Sequence, residues 1–208
     1  MPDKRPYLIG LTGSIGMGKT ATANMFARLG IPVYDADAAV HRLYERGGAA
    51  VEEIARAFPG SVSDGRVDRG RLGAMVADDR DAFRKLEGIV HPLVAREQQE
   101  FLNTLAADGA DIAVLDIPLL FESGGHARMD AVVVVSAPGH VQRERVLARP
   151  GMTEERLNAI LAKQMPDAEK RAQAHFVVET DKGLDHAFEQ VKNIVKALQE
   201  RKAKHRRA

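Results

Sequence analysis

Four short runs rich in β-branched and other apolar residues stand out along the chain: Tyr7–Thr12, Pro32–Tyr34, Ile112–Asp116 and Ala131–Ser136. A weaker fifth covers His175–Val178. Each is bounded by polar or turn residues and is apolar throughout rather than alternating. That is the pattern of strands buried on both faces of a parallel sheet. The segments between them have helical period and are too long for hairpins. Strands alternating with helices imply βαβ crossovers, so the expected fold class is α/β, with a doubly wound parallel five-stranded sheet.

Residues 38–108 break this alternation, and no strand is expected there. Apolar residues recur at helical spacing at Val51, Ile54, Ala55 and Phe58, then at Ile89, Leu93, Val94, Phe101, Leu102 and Leu105. The stretch reads as a helical insert lobe, with a turn-rich loop at Gly60–Arg66. The last helix, Leu184 to about Lys202, carries an apolar stripe of Phe188, Val191, Ile194, Val195 and Leu198 that is expected to pack on the sheet. It runs into a basic tail of Arg201, Lys202, Lys204, Arg206 and Arg207.

With 208 residues, one well-buried domain carrying an insert is expected, not two independent ones. Thirty Lys and Arg against 29 Asp and Glu leave no global field to draw the chain to nucleic acid or a membrane. The apolar run at Tyr7–Leu11 is too short for a signal-peptide core, and no run approaches the ~20 residues that span a bilayer. The absence of cysteine excludes a disulfide framework, a thiolate metal site and a catalytic thiol. A cytoplasmic protein, monomeric or weakly self-associating, is expected.

The decisive motif lies between the first strand and the first helix. Residues Gly13, Ser14, Ile15, Gly16, Met17, Gly18, Lys19 and Thr20 fit G-x-x-x-x-G-K-[ST]. Glycines let the backbone take shapes a side chain would block, so that amides converge on phosphate oxygens at a helix N-terminus. Lys19 reaches the β- and γ-phosphates, and the Thr20 hydroxyl can hold Mg²⁺. Ala21 continues the ATP-binding stretch. The dinucleotide fingerprint G-x-G-x-x-G is not in register here, and Lys19–Thr20 has no role in it.

Acidic and basic residues near the strand ends supply the remaining chemistry. Asp35 and Asp37 follow the second strand, where side chains reach the ligand crevice of such sheets. Asp37 is read as the base that accepts a hydroxyl proton and Asp35 as its support; the plain alternative is that Asp37 caps a helix. Asp116 ends the third strand, the place of the metal-organising acid in phosphate-loop proteins. Leu119–Phe121 read equally as core or as a ligand wall, and Glu122 as a substrate contact or a solvated loop charge. Arg145 and Arg149, four apart, are expected to share a helix face and neutralise charge on a transferring phosphoryl group. With Gly151 they suit a short helical lid at about 146–166. Pro92 is expected to start a helix, turning His91 to the crevice; the alternative for His91 is a structural role. Lys163 and Gln164, at the end of a short helix, read as substrate contacts or as a surface helix end.

The chain resembles the dephospho-coenzyme A kinase family over nearly its whole length. The resemblance rests on LIGLTGSIGMGKT at the start, VYDADAAVHR at Val33–Arg42, VHPLVARE at Val90–Glu97 and LDIPLLFE at Leu115–Glu122. The spacing of Gln142, Arg145 and Arg149, followed by Gln164, adds to it. It implies ATP-dependent phosphorylation of the ribose 3′-hydroxyl of dephospho-coenzyme A, with Mg²⁺, on a nucleoside-monophosphate-kinase-like fold. By motif, Gly13–Thr20 becomes the ATP loop, Asp37 the base and Arg145 a phosphate-stabilising group. His91, Leu119 and Glu122 fall in stretches associated with the acceptor. Two departures stand out: Pro150 follows Arg149 where an acid is frequent, and Glu179-Thr180-Asp181 replaces an Asn-rich turn, so no adenine contact is assigned there. Another small-metabolite or nucleoside monophosphate kinase is the alternative enzyme. A nucleotide switch would need a guanine-reading N-K-x-D, which the sequence lacks, and RNA binding by the tail would need interleaved aromatics, which it also lacks.

Overall fold

The computed structural model describes residues 5–205, with side chains from Arg5 to Glu200. The chain divides into two compact units, one of residues 5–34 and 105–205, the other of residues 35–104.

In the first unit, β1 (Tyr7–Thr12) leads through a glycine-rich loop into α1 (Lys19–Arg28) and then β2 (Val33–Asp35). The second unit follows, made of α2 (Ala36–Tyr44), α3 (Val51–Ala57), β3 (Val62–Ser63), β4 (Arg66–Val67), α4 (Arg69–Val76) and most of α5 (Arg80–Ala107). The chain then returns as β5 (Ile112–Asp116), β6 (Ala131–Ser136), α6 (Gly139–Leu147), α7 (Glu154–Leu161), α8 (Asp167–Gln173), β7 (Phe176–Glu179) and α9 (Leu184–His205). The five-stranded parallel sheet has the order β2-β5-β1-β6-β7. β1 pairs parallel with β5 and β6, and β6 with β7.

Every residue of β5 and β6 is buried, which explains their unbroken apolar runs. Alternate side chains of β6 serve opposite faces. Val133 and Val135 join Ile9, Leu11, Phe26, Val191 and Leu198 in one core. Val132 and Val134 join Leu120 and Phe121 in another. Gly10 lets this second layer close down: a Cβ there would lie 2.5 Å from Leu120 Cδ2 and 2.8 Å from Met129 Cγ. The stripe on α9 packs as expected, and Arg28 of α1 lies 4.5 Å over the ring of Phe188. The tail side chains from Arg201 onward lie outside the described residues. Among the described residues, no helix is long and apolar enough to cross a membrane.

The second unit has its own core of Leu43, Val51, Ile54, Phe58, Leu72, Val76, Ile89 and Val90. Two expectations fail here. Gly60–Arg66 is not merely a loop, because Val62–Ser63 and Arg66–Val67 pair antiparallel around Asp64 and Gly65 at φ 51 and 73°. An Asp-Gly pair with both φ positive makes the tight turn that fits strand twist. Pro92 does not start a helix but lies inside α5. Proline costs a helix one N–H bond and crowds the carbonyl four residues earlier, which here belongs to Gly88, a residue with no side chain to add to the crowding.

Phe26 has no exposed surface and anchors α1 to the sheet. Phe26→Ala is expected to cost about 3–5 kcal/mol by leaving a cavity, read as a lower urea midpoint at an unchanged m-value.

Candidate active site

The glycine-rich loop takes its shape from two left-handed residues and a set of clamps on its carbonyl side. Gly16 has φ 78° and Gly18 φ 94°, where any side chain is strained. Ser14 accepts the Met17 amide at 3.2 Å. The Ile15 carbonyl accepts from Gln142 Nε2 at 2.8 Å, and the Met17 carbonyl from Thr180 Oγ1 at 2.8 Å. Arg145 reaches the Gly16 carbonyl at 3.5 Å and binds Thr180 twice, through Oγ1 at 2.9 Å and the backbone oxygen at 2.7 Å.

With the carbonyls held this way, the amides of Gly16, Gly18, Lys19 and Thr20 have no acceptor among the described residues. Gly18 precedes α1 without a capping side chain, and the first turn holds no acid. An uncapped helix start of free N–H groups attracts anions, phosphate above all. Lys19 Nζ forms a short ion pair with Oδ1 of the buried Asp116 at the end of β5. Thr20, on the first turn of α1, is exposed.

Beside the loop opens a cavity of about 280 Å³. Gly16, Gly18, Arg145, Arg149 and Thr180 line one part, and Met25, Gly183, Leu184 and Ala187 another. Arg149 reaches it differently than expected. Helix α6 ends at Leu147, so Arg149 does not share a helix face with Arg145 but sits in the turn beyond it. Lys163 and Gln164 likewise lie just past the end of α7. Gln164 Oε1 accepts the Ile15 amide at 3.2 Å, so this side chain braces the loop.

Glu122 and Leu119 diverge after β5. Leu119 is 44% exposed, whereas Leu120 and Phe121 are buried, so only the first of the three is free to touch a ligand. Glu122 Oε1 lies 2.9 Å from Lys170 Nζ and accepts the Met165 amide at 2.7 Å. Its side chain is 18% exposed and that of Lys170 fully buried. Burial pushes the Glu122 carboxyl up, but hydrogen bonding to Lys170 and to the backbone at Glu122 and Met165, together with the Lys170 charge, outweighs that and holds it below the ordinary 4.5.

In the second unit, Asp35 and not Asp37 is the helix cap: its Oδ1 accepts the Ala38 amide at 2.9 Å. Asp37, in the first turn of α2, is exposed with no hydrogen bond or ion pair among the described residues. His91 is exposed on α5, 3.9 Å from Glu87. Two loop-holding residues escaped functional assignment in the sequence. Gln142 precedes Arg145 by one helical turn, a spacing that marks it as facing the same way. Thr180 carries no such signal, being a single residue past the end of β7.

Residues 7–186 match the family model described as dephospho-CoA kinase. The chain belongs to the dephospho-CoA kinase family. Among relatives of that family, a dephospho-CoA kinase of Mesorhizobium japonicum is 57% identical over 191 residues, 92% of this chain and 96% of the relative. Another, from Rhodopseudomonas palustris, is 56% identical over 190 residues, 91% of this chain and 94% of the relative. Among solved structures, TT1252 from Thermus thermophilus superposes with a TM-score of 0.82 at 38% identity, over 93% of this chain and 97% of the other. A dephospho-CoA kinase from Campylobacter jejuni shares the fold, with a TM-score of 0.64 at 21% identity over 93% and 97% of the two chains.

Two outcomes follow for this member of the family. A Cβ on Gly13 would lie 2.6 Å from the Val135 carbonyl oxygen, a backbone atom that cannot swing aside. Gly13→Ala is expected to cost about 1–3 kcal/mol, seen as a Tm lower by several degrees. The folded Glu122 carboxyl has the lower pKa, so the unfolded chain binds more protons there as pH falls. The stability that Glu122 gains from Lys170 is therefore present above about pH 4.5 and fades as pH drops through the folded value. The stability gap between wild type and Glu122→Gln, from urea unfolding, should hold from about pH 7 to 5 and shrink below about pH 4.

Proposed function

We propose that this chain transfers the γ-phosphoryl group of ATP to the ribose 3′-hydroxyl of dephospho-coenzyme A, giving coenzyme A and ADP. The observation that carries the reading is the ring of unpaired amides at the start of α1, in a chain whose family match spans residues 7–186. Lys19 holds the β- and γ-phosphates. The cavity between α1 and α9 takes the adenosine end, with Arg145 and Arg149 at its edge.

In the donor complex Lys19 exchanges its carboxylate for phosphate oxygens. Thr20 and Asp116 are hard oxygen donors, and with phosphate oxygens they suit Mg²⁺, which keeps much of its own water and seldom relies on an all-protein cage. Bound there, Mg²⁺ would neutralise phosphate charge.

The acceptor oxygen attacks the γ-phosphorus as the bond to the bridging oxygen of ADP breaks. Asp37 takes the hydroxyl proton. Asp35 is occupied as the helix cap, and the Asp37 carboxylate has no competing partner among the described residues. Arg145 and Arg149 stabilise charge on the equatorial oxygens. His91, Leu119 and Lys163, all exposed, are the acceptor contacts, and α7 with its flanking turns, within residues 146–166, serves as the lid.

Asp37→Asn is expected to lower kcat by about 10²-fold or more while leaving the fold and the KM for ATP nearly unchanged. ADP release measured with and without dephospho-coenzyme A checks this. A folded variant with near wild-type turnover removes Asp37 from the role of base, and wild-type protein releasing ADP no faster with the acceptor than without it overturns the reaction.

A further inference from the structure

Among the described residues, Lys170 is the only buried lysine, and no part of its side chain is exposed. Its ammonium has one counter-charge there, Glu122 Oε1 at 2.9 Å. A buried ammonium is costly, and an apolar side chain would fill the same space at no such cost. What an apolar side chain cannot do is orient a carboxylate. The Glu122 oxygen that faces Lys170 also accepts the Met165 amide at 2.7 Å. The preceding residue, Gln164, accepts the Ile15 amide at 3.2 Å. One continuous chain of contacts thus runs from a buried cation to the phosphate loop.

We propose that Lys170 is a positioning residue for the nucleotide: by holding Glu122 on the Met165 amide it sets the turn that presents Gln164 to Ile15, and through it the loop that grips ATP. The inference rests on the reading of that loop as the ATP site. Lys170 itself touches neither substrate. Without its charge, the partly exposed Glu122 carboxylate turns to water, the Met165 amide loses its acceptor and Gln164 loses its fixed register against Ile15. The loop then samples arrangements in which its amides no longer converge, and ATP binds only the competent fraction.

The test compares Lys170→Met, Lys170→Arg, Gln164→Ala and the double variant Lys170→Met/Gln164→Ala, with KM for each substrate and kcat from ADP release. Lys170→Met should raise the KM for ATP on the order of tenfold, with the KM for dephospho-coenzyme A within about twofold. Lys170→Arg should restore part of the loss. The Lys170→Met and Gln164→Ala effects on ATP should be strongly non-additive, because both release the same amide. A folded Lys170→Met protein with unchanged KM for ATP overturns the proposal, as does additivity in the cycle. If Lys170→Met does not fold, Glu122→Gln decides: a raised KM for ATP supports the proposal, and a raised KM for the acceptor alone, or no change, overturns it. Wild-type protein that fails to turn over ATP would instead sink the reading of the site, independently of these variants.

Discussion

A phosphate loop works only if its amide protons point at one place before any phosphate arrives. Peptide groups left to themselves would turn those donors onto neighbouring carbonyls or water. Here the carbonyls of Ile15, Gly16 and Met17 are taken by Gln142, Arg145 and Thr180, which leaves the opposite edge of the backbone free. The loop is therefore held from behind. The amides of Gly16 and Gly18, whose own peptide-unit carbonyls are held by Gln142 and Thr180, have no acceptor among the described residues, and positive φ at both glycines supplies the curvature.

The rest of the first unit reads as support for this arrangement. β1 delivers the loop from the middle of the sheet, with β5 and β6 on either side. β5 brings Asp116 beside Lys19, and the segments after β6 and β7 bring Arg145 and Thr180. Since all three strands run in parallel, their carboxyl ends open onto the same side, which is why groups far apart in the chain converge. The Lys19–Asp116 pair supplies a counter-charge to a buried carboxylate.

The sequence spoke clearly wherever one residue type has one physical use. The strands of the five-stranded sheet were legible from their apolar runs, with the second and fifth each shifted one residue later than expected, and the phosphate loop from its glycines. The failures have local causes. The Asp64-Gly65 pair is a hairpin signal, but its two-residue strands are too short to show a period. Pro92 was read as a helix boundary, because one-dimensional rules weigh its ring and not the glycine four residues earlier. The two aspartates after β2 were distinguishable only by geometry, since either could cap. Arg149 was placed on a helix that ends two residues before it. The bracing roles of Gln164 and Thr180 depend on which backbone atom they meet, and no spacing encodes that.

The order β2-β5-β1 also governs how the chain can assemble. β1 and β2 leave the ribosome close together yet cannot pair, because the place between them belongs to a strand made only after the whole 35–104 segment. Until then two apolar strands have no ladder partner, and their interval is filled late by a central strand. Synthesis must therefore carry unpaired edges for some seventy residues, during which the inserted unit, with its own core, is free to fold locally. A protein wired in this way depends on the pace at which β5 appears, and its window of vulnerability to aggregation is written into its strand order.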